Sequence, residues 1–245
     1  MPGQEDWFKT WFDMPHYHIL YQDRDDSEAE FFIDNLLEFL HLESKAKVLD
    51  LACGKGRYSI YLNKKDLNVT GLDLSEQNIE EAKLSENETL AFDIHDMREV
   101  YKYNEYDAVL NLFTSFGYFE DFQDNLRTLQ AVNKMLVDGG TFVIDFMNVT
   151  QVIPNIVKEE VKTVQGIEFH LFRRFDGKFI IKDIEFEDEG KKYSFSEKVQ
   201  AITKEEFEKL LKQAGFKINH TFGNYSLSPF DRENSDRLIF IATKI

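Results

Sequence analysis

Val48-Leu49-Asp50-Leu51-Ala52-Cys53-Gly54-Lys55-Gly56-Arg57 decides how this chain is read. The stretch runs from a short apolar strand through a turn with two glycines into a helix. Gly54 and Gly56 let the backbone pass against a ligand where any side chain would collide. Asp73 closes the following strand, Val69-Thr70-Gly71-Leu72-Asp73, where a carboxylate can accept hydrogen bonds from both hydroxyls of a ribose. Strand, turn, helix and acid together describe a pocket for an adenosine.

The identity of the nucleoside turns on Ser59. A dinucleotide fingerprint places a third glycine there so that helix and strand close around a pyrophosphate. A lone G-x-G is weak evidence, whereas Asp-x-Ala-x-Gly-x-Gly after an apolar strand, with an acid roughly twenty residues on, is a far more restrictive set. On these residues the sequence resembles the class I S-adenosylmethionine-dependent methyltransferases, whose first motif reads much like Val48 to Gly56. The resemblance implies that Asp50, Ala52, Gly54, Gly56, Asp73 and Leu74 bind the cofactor.

Composition sets the bounds. The 245 residues suit one α/β domain with an insertion, and 42% hydrophobic residues with 23 Phe can fill a large core. No apolar run approaches the roughly twenty residues that span a bilayer, and, with neither a basic region nor an apolar stretch in Met1 to Trp7, no secretory signal is expected. Cys53 is the single cysteine, so an internal disulfide is impossible and a cytoplasmic location is expected. The net charge of −16 argues against nucleic acid and anionic membrane surfaces, which bind through clustered Lys and Arg.

Strand and helix patterns alternate from Lys47 to Phe146, which predicts right-handed crossovers and a parallel sheet. Before them lies an aromatic, irregular segment to about Arg24, and Ser27-Glu28-Ala29-Glu30 reads as a capping box opening a helix. Gly139-Gly140 is expected to stop the Asp121–Met135 helix. After Asn148 the pattern switches to period-two alternation with turns at Gly166, Asp176-Gly177 and Glu189-Gly190. Thr203-Lys204-Glu205-Glu206 is a further capping box, and two final strands without a helix between them suggest an antiparallel edge. The expected fold is a doubly wound, Rossmann-like α/β sheet, mostly parallel with an antiparallel C-terminal strand, plus a small inserted antiparallel β-sheet. The expected units are residues 1–148 (N-terminal lid and cofactor-binding core), 149–199 (inserted β subdomain) and 200–245 (completion of the core).

Three later segments extend the resemblance. It implies that Asp96 accepts from the adenine amino group, with Asp93 competing, and that the Met97 N–H meets a ring nitrogen. Asn111 and Leu112 end the fourth strand beneath the methionyl part of the cofactor, and Thr114-Ser115-Phe116-Gly117-Tyr118 resembles the loop found there in small-molecule methyltransferases. The Asn/Asp-Pro-Pro-Tyr/Phe of base-modifying methyltransferases is absent, since the chain has Asn111-Leu112-Phe113-Thr114. Tyr17-His18-Ile19-Leu20-Tyr21-Gln22-Asp23-Arg24-Asp25 resembles the opening of sugar-amine N,N-dimethyltransferases and, more loosely, of glycine N-methyltransferase-like proteins. There Tyr17, Tyr21 and Arg24 would hold the cofactor's carboxylate, a group that an Arg fork suits. Core packing of the first helix is the competing reading of these aromatics.

Methyl transfer from a sulfonium is an in-line displacement that needs alignment and exclusion of water, with no metal and no covalent enzyme intermediate. An amine acceptor must arrive neutral and a hydroxyl must lose its proton, so a base helps. His16, His18, Tyr118 and His170 are the candidates, with His18 and Tyr118 nearest the expected cleft. The expected activity is methylation of a small-molecule amine or hydroxyl. A module that holds the cofactor without turnover and a nicotinamide-dependent oxidoreductase are the competing readings. The inserted sheet is expected to form a homodimer contact, because its Phe and Ile positions exceed what so thin a unit buries by itself.

Overall fold

The computed structural model describes residues 7–22 and 26–245. In chain order the elements are α1 (Trp7–Phe12), α2 (Pro15–Leu20), α3 (Asp26–Leu40), β1 (Lys47–Leu51), α4 (Arg57–Lys64), β2 (Asn68–Asp73), α5 (Glu76–Ala82), β3 (Leu90–Ile94) and β4 (Tyr106–Asn111). There follow α6 (Phe122–Met135), β5 (Leu136–Met147), α7 (Val149–Val152), β6 (Glu159–Val164), β7 (Ile167–Phe175), β8 (Phe179–Asp188), β9 (Lys191–Gln200), α8 (Lys204–Gln213), β10 (Phe216–Phe222) and β11 (Arg237–Lys244).

Seven strands form the main sheet in the order β10-β11-β5-β4-β1-β2-β3. β1 pairs in parallel with β2 and β4, β2 with β3, and β4 with β5. Near-continuous apolar runs such as Val48 to Leu51 suit strands covered on both faces. One face carries Phe32, Ile33, Leu62 and Ile79 from α3, α4 and α5; the other carries Leu129, Val132, Phe207 and Leu211 from α6 and α8. The doubly wound sheet expected from the sequence is therefore the observed one. It differs in one respect at the C-terminus: β11 lies between β5 and β10 and runs antiparallel to both, so the antiparallel strand sits one place in from the edge.

Three local expectations are corrected. Gly139-Gly140 does not stop α6, which ends at Met135 with β5 beginning directly at Leu136. The glycines instead sit inside β5, where its register against β4 jumps from Tyr106↔Leu136 to Ala108↔Thr141 and Gly139 takes φ +76. The segment before Arg24 is not irregular throughout, since α1 and α2 occupy it and Pro15 opens α2 with its ring preset for a first helical turn. α3 already includes Asp26, so Ser27 lies inside the helix rather than at its N-cap.

β6 to β9 form a separate four-stranded antiparallel sheet in sequential order. Two-residue turns with both residues at positive φ join β6 to β7 (Gln165-Gly166) and β8 to β9 (Glu189-Gly190). At Asp176-Gly177 the aspartate side chain accepts from the N–H groups of Lys178 and Phe179. Phe169, Ile184 and Phe186 of this sheet are buried against Trp11 and Leu20 of the N-terminal helices. The N-terminal helices thus cover part of the apolar surface that led to the expected subunit contact, while Phe172 and Phe175 of β7 remain exposed. The Thr203 capping box forms as expected at the start of α8. No described helix is long and apolar enough to cross a membrane.

Candidate active site

The turn after β1 alternates through the left-handed region, with φ +65 at Ala52, +55 at Gly54 and +74 at Gly56. Gly54 donates its N–H to Asp73 Oδ2 at 2.8 Å, and Ser75 donates its own to Asp73 Oδ1 at 2.8 Å. The carboxylate is thereby fixed at the end of β2 with further lone pairs on each oxygen still available. A Cβ on Gly54 would meet nothing within 4 Å, because that side of the turn faces open space. A Cβ on Gly56 would meet the Phe92 ring at 2.3 Å. The space a side chain at Gly56 would need is thus taken by the packing of α4 on β3, and Gly56 is not among the residues lining either cavity.

Ser59, at the missing third glycine, donates to Asp50 Oδ2 at 2.6 Å. Burial drives the Asp50 carboxyl up to about 6, with the Ser59 bond opposing the rise and nearby Asp73 adding to it. Burial also raises Asp73, against the hydrogen bonds from Ser75 and Gly54. Cys53, beside both acids, is pushed well above the ordinary thiol range by burial, so it stays protonated.

Two cavities meet at the carboxyl edge of the sheet. The larger, of about 350 Å³, is lined by Asp50, Ala52, Gly54 and Leu112 from the sheet edge and by Tyr17, His18 and Tyr21 from the N-terminal segment. Phe113, Ser115 and Tyr118 complete its wall from the loop after β4. The smaller, of about 60 Å³, is an apolar slot between Leu74, Met97, Phe116 and Phe119, with Asp96 at its wall. Phe12, Ala52, Asp73 and Tyr118 border both. Asp73 thus stands at the junction of a slot suited to a base and a larger space suited to a charged tail. Asn78, which lines the larger cavity, keeps a buried Oδ1 with no partner among the described residues. The open side of Gly54, the available lone pairs of Asp73 and the orphaned Asn78 oxygen together fit the nucleoside expected from the sequence.

The geometry sorts the remaining candidates. Asp96 borders the slot, whereas Asp93 does not and accepts from Tyr101 at 3.0 Å. Asp96 is also clasped by Arg98, whose NH2 lies 2.6 Å from Oδ2 and whose backbone N–H reaches Oδ1 at 3.0 Å. Burial opposes ionisation of Asp96, but the Arg98 bonds outweigh it and hold the carboxyl below its ordinary value. Asn111 is fully buried and lies behind the cavity wall, donating from Nδ2 to Leu51 O at 2.9 Å so that the ends of β4 and β1 stay level. His16 is bound to Asp188 at 2.9 Å between Phe186 and Tyr193, and His170 pairs with Glu168 on β7 of the inserted sheet, its side chain half exposed. Both are remote from the cavities, which leaves His18 and Tyr118. Tyr118 donates its hydroxyl to Thr114 O at 2.6 Å. Arg24 lies outside the described residues.

Sequence reasoning missed the groups that hold the roof of the site. Glu197 on β9 accepts from Trp11 Nε1 at 2.7 Å and from the Tyr21 hydroxyl at 2.7 Å, with Lys182 against both Tyr21 and Glu197. The Tyr21 hydroxyl is therefore held by the inserted sheet, although the residue still lines the larger cavity. Asp13 accepts a hydrogen bond from the Ser75 hydroxyl, tying the α1–α2 junction to the N-cap of α5 beside Asp73. Apart from Lys182 and Glu197, which are neighbours on the β8–β9 hairpin, these pairs are 62 to 186 residues apart, and no local signal could have announced them.

Comparisons with known proteins agree with this geometry. A family model described as a methyltransferase domain matches residues 23–221. The Bacillus subtilis protein YqeM is 28% identical over 213 residues, covering 83% of this chain and 86% of its own length. Among solved structures, an S-adenosylmethionine-dependent methyltransferase from Clostridium acetobutylicum aligns with a TM-score of 0.79 at 21% identity, over 93% of this chain and 95% of that one. CalS10 of Micromonospora echinaspora, an amino pentose methyltransferase solved with S-adenosylmethionine bound, aligns with a TM-score of 0.70 at 18% identity, over 95% and 98% of the two chains.

Proposed function

The chain belongs to the methyltransferase domain family, and we propose that it moves the methyl group of S-adenosylmethionine to a nitrogen or oxygen of a small-molecule acceptor inside the larger cavity. The observation that carries this reading is the position of Asp73 at the meeting of the apolar slot and the larger cavity. When bound, the donor supplies an electrophilic methyl on a sulfonium. Asp73 accepts from its ribose hydroxyls, while Asp96 and the Met97 N–H read its base within the slot. Asp50, Ala52 and Gly54, with Leu112, border its amino-acid end; Tyr17 and Arg24 are assigned to its carboxylate, while Tyr21, whose hydroxyl proton goes to Glu197, lines that end without donating to it. Leu74 packs on the base, and Asn111 supports the wall from behind.

The N-terminal helices lie over the cavity and exclude water, which protects the donor and strengthens charge interactions inside. Because the Tyr118 proton is directed at Thr114, its hydroxyl oxygen presents lone pairs and accepts an N–H or O–H from the acceptor, orienting it. His18 is assigned the base that removes the acceptor proton. The same reading treats residues 149–199 as an inserted unit serving the acceptor side. Net charge and the aromatic lining of the cavity support a small molecule rather than nucleic acid as acceptor. Sugar-amine methyltransferases among the structural neighbours make an amine the first class to try.

The test is transfer of a labelled methyl from S-adenosylmethionine across a panel of amino sugars, amino acids, amines and phenols. Turnover of at least one panel member, lost in His18→Ala, is the expected result. Binding of S-adenosylhomocysteine without turnover of any member would favour a module that only holds the donor.

A further inference from the structure

The loop after β4 is strained where it enters the site. Phe113 has φ +58 and Thr114 φ +61, consecutive non-glycine residues in the left-handed region, and one of them is β-branched. Such a conformation persists only when its surroundings over-determine it. What over-determines it here is a buried ion pair behind the cavity wall. Asp145 on β5 is fully buried and Arg237 on β11 is 19% exposed; they are diagonal neighbours across the antiparallel β5–β11 pair. Arg237 Nε donates to Asp145 Oδ1 at 2.8 Å.

Each partner also grips the loop. Asp145 Oδ2 accepts the Phe113 N–H at 2.8 Å, and the Asp145 carbonyl accepts the Thr114 N–H at 3.0 Å. Arg237 NH2 donates to Thr114 Oγ1 at 2.9 Å. Thr114 O in turn receives the Tyr118 hydroxyl. Tyr225 closes the cluster, with its hydroxyl 3.4 Å from Asp145 and its ring under the Arg237 guanidinium. Neither Asp145 nor Arg237 lines either of the two cavities of the site.

The far end of the loop is held by a separate device. Gln200, itself buried, donates its N–H to Gly117 O at 2.7 Å and its side-chain amide to Phe119 O at 2.5 Å. The slot side and the tail side of one loop are thus anchored to different strands.

We infer that Asp145 and Arg237 are positioning residues, which clamp Phe113 and Thr114 so that Phe113, Ser115 and Tyr118 form the wall of the larger cavity. The inference rests on the proposed function, in which that cavity takes the donor's amino-acid end and the slot takes its base. It requires that loosening the clamp weaken recognition of the tail while leaving recognition of the nucleoside intact.

The experiment compares S-adenosylhomocysteine with 5′-methylthioadenosine, which lacks the amino-acid tail, by calorimetric titration of wild type, Arg237→Met, Asp145→Asn and Thr114→Val. Arg237→Met is expected to weaken S-adenosylhomocysteine about tenfold or more and 5′-methylthioadenosine less than about twofold. Asp145→Asn retains an acceptor for the Phe113 N–H and is expected to fall between Arg237→Met and wild type. Thr114→Val, which loses only the hydroxyl facing Arg237, is expected to show the same selectivity at about threefold, and it carries the test should Arg237→Met fail to fold. Equal weakening of both ligands, or none, in folded variants would overturn the clamp. Failure of the wild type to bind either ligand would instead overturn the donor assignment itself.

Discussion

The two walls of the site are built in opposite ways. The donor wall arises from short-range sequence: the turn from Ala52 to Gly56 and the acid at Asp73, joined by a single hydrogen bond between residues 19 apart. The roof arises from long-range assembly: Trp11 and Tyr21 meet Glu197 across 186 and 176 residues. A locally encoded wall is fixed once its strand and helix form. An assembled roof exists only when the N-terminal helices dock on the inserted sheet, so its stability is that of an interface. The comparison predicts that recognition of the ribose and base follows the locally encoded wall while enclosure of the acceptor follows the roof, so perturbations should divide between them.

The largest expected effect breaks the donor wall alone. Asp73→Ala removes two charge-assisted acceptors of the ribose, worth about 4 kcal/mol together or roughly a thousandfold in affinity. Calorimetry with S-adenosylhomocysteine measures it, and circular dichroism of the aromatic region should show the roof still docked.

Next comes the protonation of Asp50. Its folded carboxyl titrates near 6, above the ordinary value of 3.8, so the folded state holds a proton that the unfolded state releases. Stability from this group therefore falls as pH rises from about 4 to about 6 and is flat above, a swing of about 3 kcal/mol relative to Asp50→Asn. Donor affinity is expected to run the other way, rising as pH passes through 6, because the ionised form pairs with the donor's ammonium. Denaturation and titration series at pH 5, 6, 7 and 8 measure both, and Asp50→Asn should abolish the step in each.

Glu197→Ala attacks the assembled wall. It leaves Trp11 Nε1, the Tyr21 hydroxyl and Lys182 without their shared acceptor, at a cost of about 2 kcal/mol and a fall in Tm of roughly 5 °C. The comparison is sharpened if KM for the acceptor rises while S-adenosylhomocysteine affinity changes less than about threefold. Equal loss of donor and acceptor binding would mean that the two walls form one unit.

The smallest effect is Ser59→Ala, expected to cost about 1 kcal/mol by thermal denaturation and to push the Asp50 titration further upward, since the hydroxyl now opposing the shift is lost. A lowered Asp50 titration would show that the hydroxyl does not stabilise the ionised form.

The same division explains what the sequence disclosed. The Asp50–Gly56 turn, Asp73, the Asp176-Gly177 hairpin and the Thr203 capping box were legible because each closes its own hydrogen bonds within a few residues or one strand–helix unit. Gly139-Gly140 misled because a breaker signal is local, whereas the pairing of Leu136 with Tyr106 had already ended the helix. The N-terminal aromatics looked irregular because their burial depends on Phe169 and Phe186, which are remote in sequence. The packing demand on Gly56 was hidden because the Phe92 ring that fills its Cβ position comes from a strand remote in sequence. Glu197, Asp13 and the Asp145–Arg237 pair carry no motif at all.

A crystal structure of the wild type with S-adenosylhomocysteine tests the central claim most directly. The account predicts both ribose hydroxyls on the Asp73 carboxylate, the base in the slot between Leu74 and Phe116, and the amino-acid tail beside Asp50 beneath Tyr17. Nucleoside density elsewhere, or a ribose that makes no contact with Asp73, would contradict it.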